Sequence, residues 1–288
     1  MGFLKSFTVK RIILLAACCG ALCLHAQELF PYTEPASNMP SHSLSAKLSS
    51  MFEKENGSQK IAQRYSPEVM LGLSKKWMVH AGFTLSDMMQ EGFGGESVRL
   101  YAKYRFLSND AVHRHFRMAA FLLASYSRNP LRYNEINLYG DQSGVQGGVI
   151  ATQLLHKLAL SGTVSLAEIL HGERWKKRPQ NTVAWQAIHY SFSAGFLLFP
   201  LNYTNYNQTN VNLYVEVLGS HNLAWPFEKD FVDAAPSVQA IFNSTGKLNI
   251  GYRFQLAGAV SRFANAGFMI SYEHLFLNAL RKKRSLTN

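Results

Sequence analysis

Few residue patterns in this chain invite chemistry. His189-Tyr190-Ser191 puts a His and a Ser two apart, so in an extended strand both side chains fall on one face. A His that activates a Ser hydroxyl needs that reach and a third group to orient the imidazole. His113-Arg114-His115 repeats the spacing with two imidazoles, the nitrogen ligands of zinc sites, but it falls at a predicted turn and reads as a solvated pair. Met39, His42 and Met51 are soft-metal donors in a polar, Pro-containing stretch. They read better as part of a lead-in segment or short plug than as a copper site. No Gly-rich phosphate loop, paired carboxylates or zinc signature is present, so the expectation is no cofactor, no metal and no enzyme chemistry.

What the charged residues do depends on the elements that carry them. The 288 residues hold 29 Lys and Arg against 18 Asp and Glu, a formal net charge of +11. Only 16% are charged, against about 25% in an average soluble domain. Lys5, Lys10 and Arg11 precede the apolar run 12–24, and Leu24-His25-Ala26 offers a small residue before Gln27. Residues 1–26 therefore read as a secretory signal peptide, cleaved after Ala26. Leu15-Ala16-Ala17-Cys18 looks like a lipoprotein box, but the apolar stretch between Arg11 and Cys18 is short, and lipidation of Cys18 is the lesser reading. The mature chain would carry +8 and no cysteine, since Cys18, Cys19 and Cys23 leave with the leader. Export without a recognition motif argues against a nucleic-acid partner.

The period along the mature chain is two. In 247–256, Leu248, Ile250, Tyr252, Phe254 and Leu256 share one face, opposite Lys247, Asn249, Gly251, Arg253 and Gln255. Residues 76–85, 98–106, 157–166 and 210–217 alternate in the same way. Twelve strands are predicted near 42–53, 64–73, 76–85, 95–107, 113–127, 143–154, 157–169, 182–198, 208–219, 230–242, 246–256 and 266–277. The runs 113–127 and 182–198 alternate poorly, and locally each also fits a buried helix. Connections alternate long and short, except for the nine-residue stretch 199–207, the rhythm of outer-membrane barrels with short periplasmic turns and longer outer loops. Asn243-Ser244-Thr245-Gly246 has hairpin-turn chemistry.

The apolar faces carry no charge. In a membrane barrel that face meets lipid, where a charge at the midplane costs about 2–4 kcal/mol, and the polar face lines the lumen. Aromatics near strand ends, among them Trp77, Tyr104, Tyr126, Trp185, Phe199 and Phe276, fit interfacial girdles. The fold class predicted is all-β, an antiparallel transmembrane β-barrel of about twelve strands over 42–277. A periplasmic lead segment (27–41) precedes it and a basic C-terminal tail (278–288) follows.

Two stretches resemble known exported proteins. Residues 28–48, ELFPYTEPASNMPSHSLSAKL, resemble the start of a group of Bacteroidetes outer-membrane proteins. Residues 231–256, FVDAAPSVQAIFNSTGKLNIGYRFQL, resemble the strand–turn–strand end of the family named for the MetA pathway of phenol degradation. The resemblance implies a transporter-like outer-membrane barrel of a Gram-negative bacterium, with no catalytic residues to carry over. Such barrels usually end on a C-terminal aromatic, whereas here Phe276 is followed by twelve residues that include Arg281-Lys282-Lys283-Arg284.

Parity then sorts the charges. Lys47, Arg99, Lys103, Arg105, Lys157 and Arg253 are expected to line the lumen with Glu216, Asp233 and Glu273. Basic linings favour anions in an open pore. The same charges can instead pair across the interior and fill it, and both readings stand at this point. His189 and Ser191 also fall on the lumen face, unlike the lipid-facing pair of outer-membrane phospholipase A. Arg174, Lys176, Lys177 and Arg178 beside Trp175 fit lipopolysaccharide phosphates in an outer loop. The function expected is passage of a small solute without chemistry. The alternative is a closed barrel with a binding, scaffolding or lipid-modifying role.

Overall fold

The computed structural model describes residues 30–90, 92–112, 114–170, 184–201, 207–223 and 229–281. The leader 1–26 with Cys18, His113, the basic cluster 174–178 and residues 282–288 lie outside the described residues.

Twelve strands form one closed antiparallel barrel. They are β1 (Ser43–Lys54), β2 (Ile61–Gly72), β3 (Trp77–Ser86), β4 (Gly94–Ala111), β5 (Arg114–Ser127), β6 (Gly144–Leu155), β7 (Leu158–Ile169), β8 (Gln186–Phe199), β9 (Asn210–Asn222), β10 (Asp230–Phe242), β11 (Gly246–Gly258) and β12 (Ala266–Phe276). Each pairs with its sequence neighbour, and β1 closes on β12 from Leu44↔Phe276 to Glu53↔Gly267. Closure leaves no free sheet edge around the wall, as a hydrocarbon surrounding requires. No helix among the described residues is long and apolar enough to cross a membrane, which does not bear on a barrel that crosses with strands.

Side-chain parity settles which face is which. On β11 the Ile250 side is 44% exposed while Lys247 is 2% exposed. Val98, Leu100, Val164, Leu166, Leu213 and Val215 likewise face outward, and Arg99, Lys103, Ser161, Ser165, Asn212 and Glu216 are buried inside. A soluble protein would wet its charged face and hide its apolar one; this barrel does the reverse. Aromatics band both rims. Trp77 and Tyr104 pack at 4.8 Å at one end; Phe52, Tyr65 and Phe93 form an edge-to-face chain at the other, where Tyr252 stacks on Phe254 at 5.9 Å.

β5 and β8 are strands, not helices. Their alternation is weak because β5 turns Ala119, Phe121 and Leu123 inward, where they pack against protein rather than water. β8 similarly turns Ala187 inward beside His189, Ser191 and Ser193.

Connections at one end are short, at 73–76, 112–113, 156–157 and 243–245, with the ten-residue 200–209 as the exception. Those at the other are mostly longer, at 55–60, 87–93, 128–143, 170–185, 223–229 and 259–265. In the 243–245 turn Asn243 and Ser244 both have positive φ, 50° and 57°, and Thr245 N–H donates to Phe242 O. Two left-handed residues in sequence match the right-handed twist of the flanking strands, and Asn tolerates that conformation better than most residues.

Residues 30–42, in the stretch read as a lead-in segment or short plug, lie inside the barrel. They enter the lumen from the short-turn end: Phe30 and Ala36 are fully buried, and Phe30 packs edge-on against Tyr214 at 5.5 Å. At the other terminus β12 stops at Phe276 and the chain turns back, with Leu280 N–H donating to His42 O.

Candidate functional site

The lumen wall carries an alternating belt of charge set by strand register. Lys247 faces Glu273 across β11 and β12, Glu273 faces Lys47 across β12 and β1, and Lys47 faces Glu68 across β1 and β2. Lys247 Nζ donates to Glu273 Oε2 at 3.0 Å, and Ser45 Oγ donates to the other carboxylate oxygen at 2.6 Å. The belt then skips a strand. Glu68 is opposite Gly82 of β3, and Gly82 is opposite Arg99 of β4. With no side chain at Gly82, the Arg99 guanidinium lies across β3 and donates to Glu68 Oε2 at 2.7 Å from Nη2 and 3.3 Å from Nε. A Cβ on Gly82 would sit 2.9 Å from Arg99 Cζ, so the pair depends on that glycine. His80 Nδ1 lies 3.1 Å from the other Glu68 oxygen.

The lumenal segment is held by the opposite kind of device, wall side chains that satisfy its backbone. Glu216, fully buried, accepts from Tyr32 N–H at 2.9 Å and from Thr33 Oγ1 at 2.6 Å. Lys103 Nζ, also fully buried, donates to Glu34 Oε2 at 2.8 Å and to Pro35 O at 2.7 Å. Thr152 Oγ1 accepts from Ala36 N–H, and Arg117 Nη1 donates to Ser37 Oγ. An irregular segment must find such partners for its buried polar groups, and here four strands supply them.

A second insertion closes the other end. The β5–β6 connection folds inward, so that Ile136 and Leu138 join Tyr101, Leu123, Ala167 and Ile169 in a buried apolar cluster. Its Glu135 accepts from Arg253 Nη2 at 3.1 Å and from Arg262 Nη2 at 3.2 Å. Asp233 binds both arginines too, Arg262 through two bonds of 2.8 and 2.9 Å and Arg253 Nε at 2.6 Å. Phe231 lies under this pair, its ring centroid 4.4 Å from Arg262 Cζ. Arg64, buried, bridges Glu96 and Asp141 of the same connection. The ring centroid of Tyr139 lies 5.1 Å from Arg99 Cζ.

Between the two insertions a chamber of about 330 Å³ remains. Residues 31–34 border it on one side and residues 135–139 on the other.

The expected lumen residues sort clearly. Lys47, Arg99 and Arg253 line the chamber; Lys103, Glu216, Asp233 and Glu273 are buried within the barrel in bonds to the insertions, to neighbouring arginines and to the belt. Lys157 does not line it: it sits in the β6–β7 turn and donates to Pro200 O and Leu201 O of the neighbouring turn. Arg105 lies half-buried at a register shift near the short-turn rim, its N–H on Lys76 O. Glu34, Arg64, Glu68, Glu96, Glu135 and Arg262 escaped the sequence reading. For Arg64 and Glu68 the i, i+4 parity with Ser66 between them was a usable signal; Glu34, Glu135 and Arg262 sit in aperiodic stretches that offer none.

His189 and Ser191 both border the chamber, as their parity predicts. His115 Nδ1 lies 2.9 Å from Asp110, and among the described residues no group of three His, Cys, Asp or Glu is placed to hold a metal.

Solved structures share this fold, two of them as follows. An outer membrane channel from Pseudomonas putida F1 aligns with a TM-score of 0.55 at 10% identity, over 86% of this chain and all of that one (100%). The NanC porin aligns with a TM-score of 0.51 at 10% identity, over 80% of this chain and 98% of that one. At that identity the likeness speaks to fold: the chain is a twelve-stranded, porin-like barrel of the outer-membrane kind. No protein-family model and no curated protein matches the chain. The 231–256 resemblance therefore rests on the hairpin of β10 and β11 alone.

Proposed function

We propose that this protein resides in the outer membrane of a Gram-negative bacterium and admits a small solute, without chemistry, through a lumen gated at both ends. The observation that carries the reading is the chamber itself. It lies between two insertions held by hydrogen bonds, ion pairs and apolar contacts rather than by covalent links. Short turns would face the periplasm and long loops the outside, following the usual asymmetry. The channel and porin named among the fold relatives support a non-enzymatic role, as does the 231–256 resemblance to a transporter-like family. Lipopolysaccharide contact by Arg174 to Arg178 belongs to the same proposal.

The test is conductance. Wild-type protein and the double variant Lys103→Ala/Glu216→Ala would be reconstituted in planar bilayers and in liposomes. Removing both holds leaves Tyr32 N–H and Glu34 without their wall partners, and residues 30–42 should leave the lumen more often. The expected result is a low wild-type conductance that rises in the variant. Silence and absence of flux in both folded proteins would overturn passage and favour a closed binding or scaffolding barrel.

A further inference from the structure

Resting on that reading, the lining of the chamber narrows the solute class. We infer that the chamber takes an uncharged, hydroxylated ring compound of monosaccharide size, in preference to an anion.

Three features point there. The first is saturation of charge. Arg64, Arg99 and Arg253, the guanidinium groups that border the chamber, each already hold a carboxylate, and Arg64 and Arg253 hold two apiece. A guest anion would have to displace a buried acid and leave it unpaired, which costs several kcal/mol per ion. A basic lining of this kind does not attract anions as free lysines would.

The second is a rail of rings on three adjacent strands. His80 of β3, Tyr101 of β4 and Phe121 of β5 all border the chamber. Their centroids are 4.9 Å apart from His80 to Tyr101 and 5.4 Å from Tyr101 to Phe121, the last pair stacked at 23°. Packed on one another, these rings give that side of the chamber an apolar border that suits the C–H groups of a guest ring.

The third is what flanks the rail. Ser49 and Ser66 border the chamber from β1 and β2; Gln146, Thr163 and Ser191 border it from β6, β7 and β8. Hydroxyls both donate and accept, and amides offer both functions, so short neutral side chains suit ring hydroxyls better than ions. The Tyr32 hydroxyl, on the lumenal segment that borders the chamber, is buried without a hydrogen-bond partner, a cost that a guest hydroxyl would remove. A volume of about 330 Å³ sits at the small end of ligand sites.

The probes are glucose, glucuronate and glucosamine, which share a ring and differ in charge. Binding to full-length protein in detergent micelles would be followed by isothermal titration. Glucose should bind saturably and at least tenfold tighter than glucuronate. Tyr101→Ala should lose at least tenfold in glucose affinity while Tyr101→Phe keeps it, with circular dichroism confirming both folds. Ser191→Val provides a second variant outside the apolar cluster and should also weaken glucose. Glucuronate binding as tightly as glucose, no saturable binding of glucose, or a folded Tyr101→Ala with unchanged affinity would each overturn the assignment. Binding in micelles needs no passage, so the two readings fail separately. Saturable glucose binding without liposome flux sinks passage alone; equal flux of all three sugars without saturable binding sinks the ligand class alone.

Discussion

Arg99 shows how one absent side chain organises a wall. Its guanidinium reaches a carboxylate two strands away because Gly82 leaves the intervening site empty. Removing one partner of a buried pair leaves the other's charge uncompensated and costs about 3–5 kcal/mol. Arg99→Met should therefore lower the stability of the folded barrel by about that much, since Glu68 keeps His80 and the facing Lys47 but loses the guanidinium that holds it with two bonds. Gly82→Val should act in the same direction without touching either charge, because the new methyls occupy the guanidinium's path. Urea unfolding in lipid vesicles would check both; an unchanged Gly82→Val midpoint would show that Arg99 has another way to reach Glu68. That lumen charges could pair was open from the sequence, but the particular partners were not. Parity placed Arg99 and Arg253 in the lumen, but their partners depend on register, and Glu135 lies 118 residues from Arg253. The sequence reading named Glu216, Asp233 and Glu273 but not Glu34, Glu135 and Asp141, which sit in stretches without any period.

At the scale of strands, legibility followed the medium on each side. Where the inner neighbour is water or a polar chain, as along β9 and β11, oil and polarity alternate cleanly and the strand could be read directly. Along β5 the inner neighbours are Ala36, Ile136 and Leu138, so inward Ala119 and Leu123 are as apolar as outward Leu122, and a helix fitted the pattern equally well. The lumenal segment has no period because no ladder holds it; its place is set by Glu216 and Lys103, which sequence spacing does not connect to it. The lipid face makes its own prediction. Val164 lies in the middle of β7, whereas Leu256 lies near the long-loop end of β11. Val164→Arg should cost about 2–4 kcal/mol of folding free energy in vesicles and Leu256→Arg about 0–1 kcal/mol, because the penalty falls towards the interface. Equal costs at the two depths would contradict the membrane placement of this face.

The whole molecule is a barrel whose surplus positive charge is not in its lumen. Around the chamber, Arg64, Arg99, Lys103, Arg253 and Arg262 meet Glu96, Asp141, Glu68, Glu34, Glu135 and Asp233 in bonds of the wall and the two insertions. The surplus positive charge of the described residues therefore lies outside the lumen, at strand ends, turns and loops such as Lys54, Lys75, Lys76 and Arg128, where it is screened within about 10 Å at 0.1 M salt. A basic lining taken alone implies anion selectivity; a paired lining implies little selectivity of either sign. In a KCl gradient across a planar bilayer, currents through the opened Lys103→Ala/Glu216→Ala protein should reverse close to zero voltage. Glu135→Gln added to that background removes the acid that Arg253 and Arg262 share, leaving Asp233 to balance both. The excess cation then borders the permeation path, so the reversal potential should move towards the chloride value. A strongly anion-selective parent, or a Glu135→Gln shift in the potassium direction, would mean that the ion pairs do not neutralise the path, and the case for an uncharged solute would lose its first support.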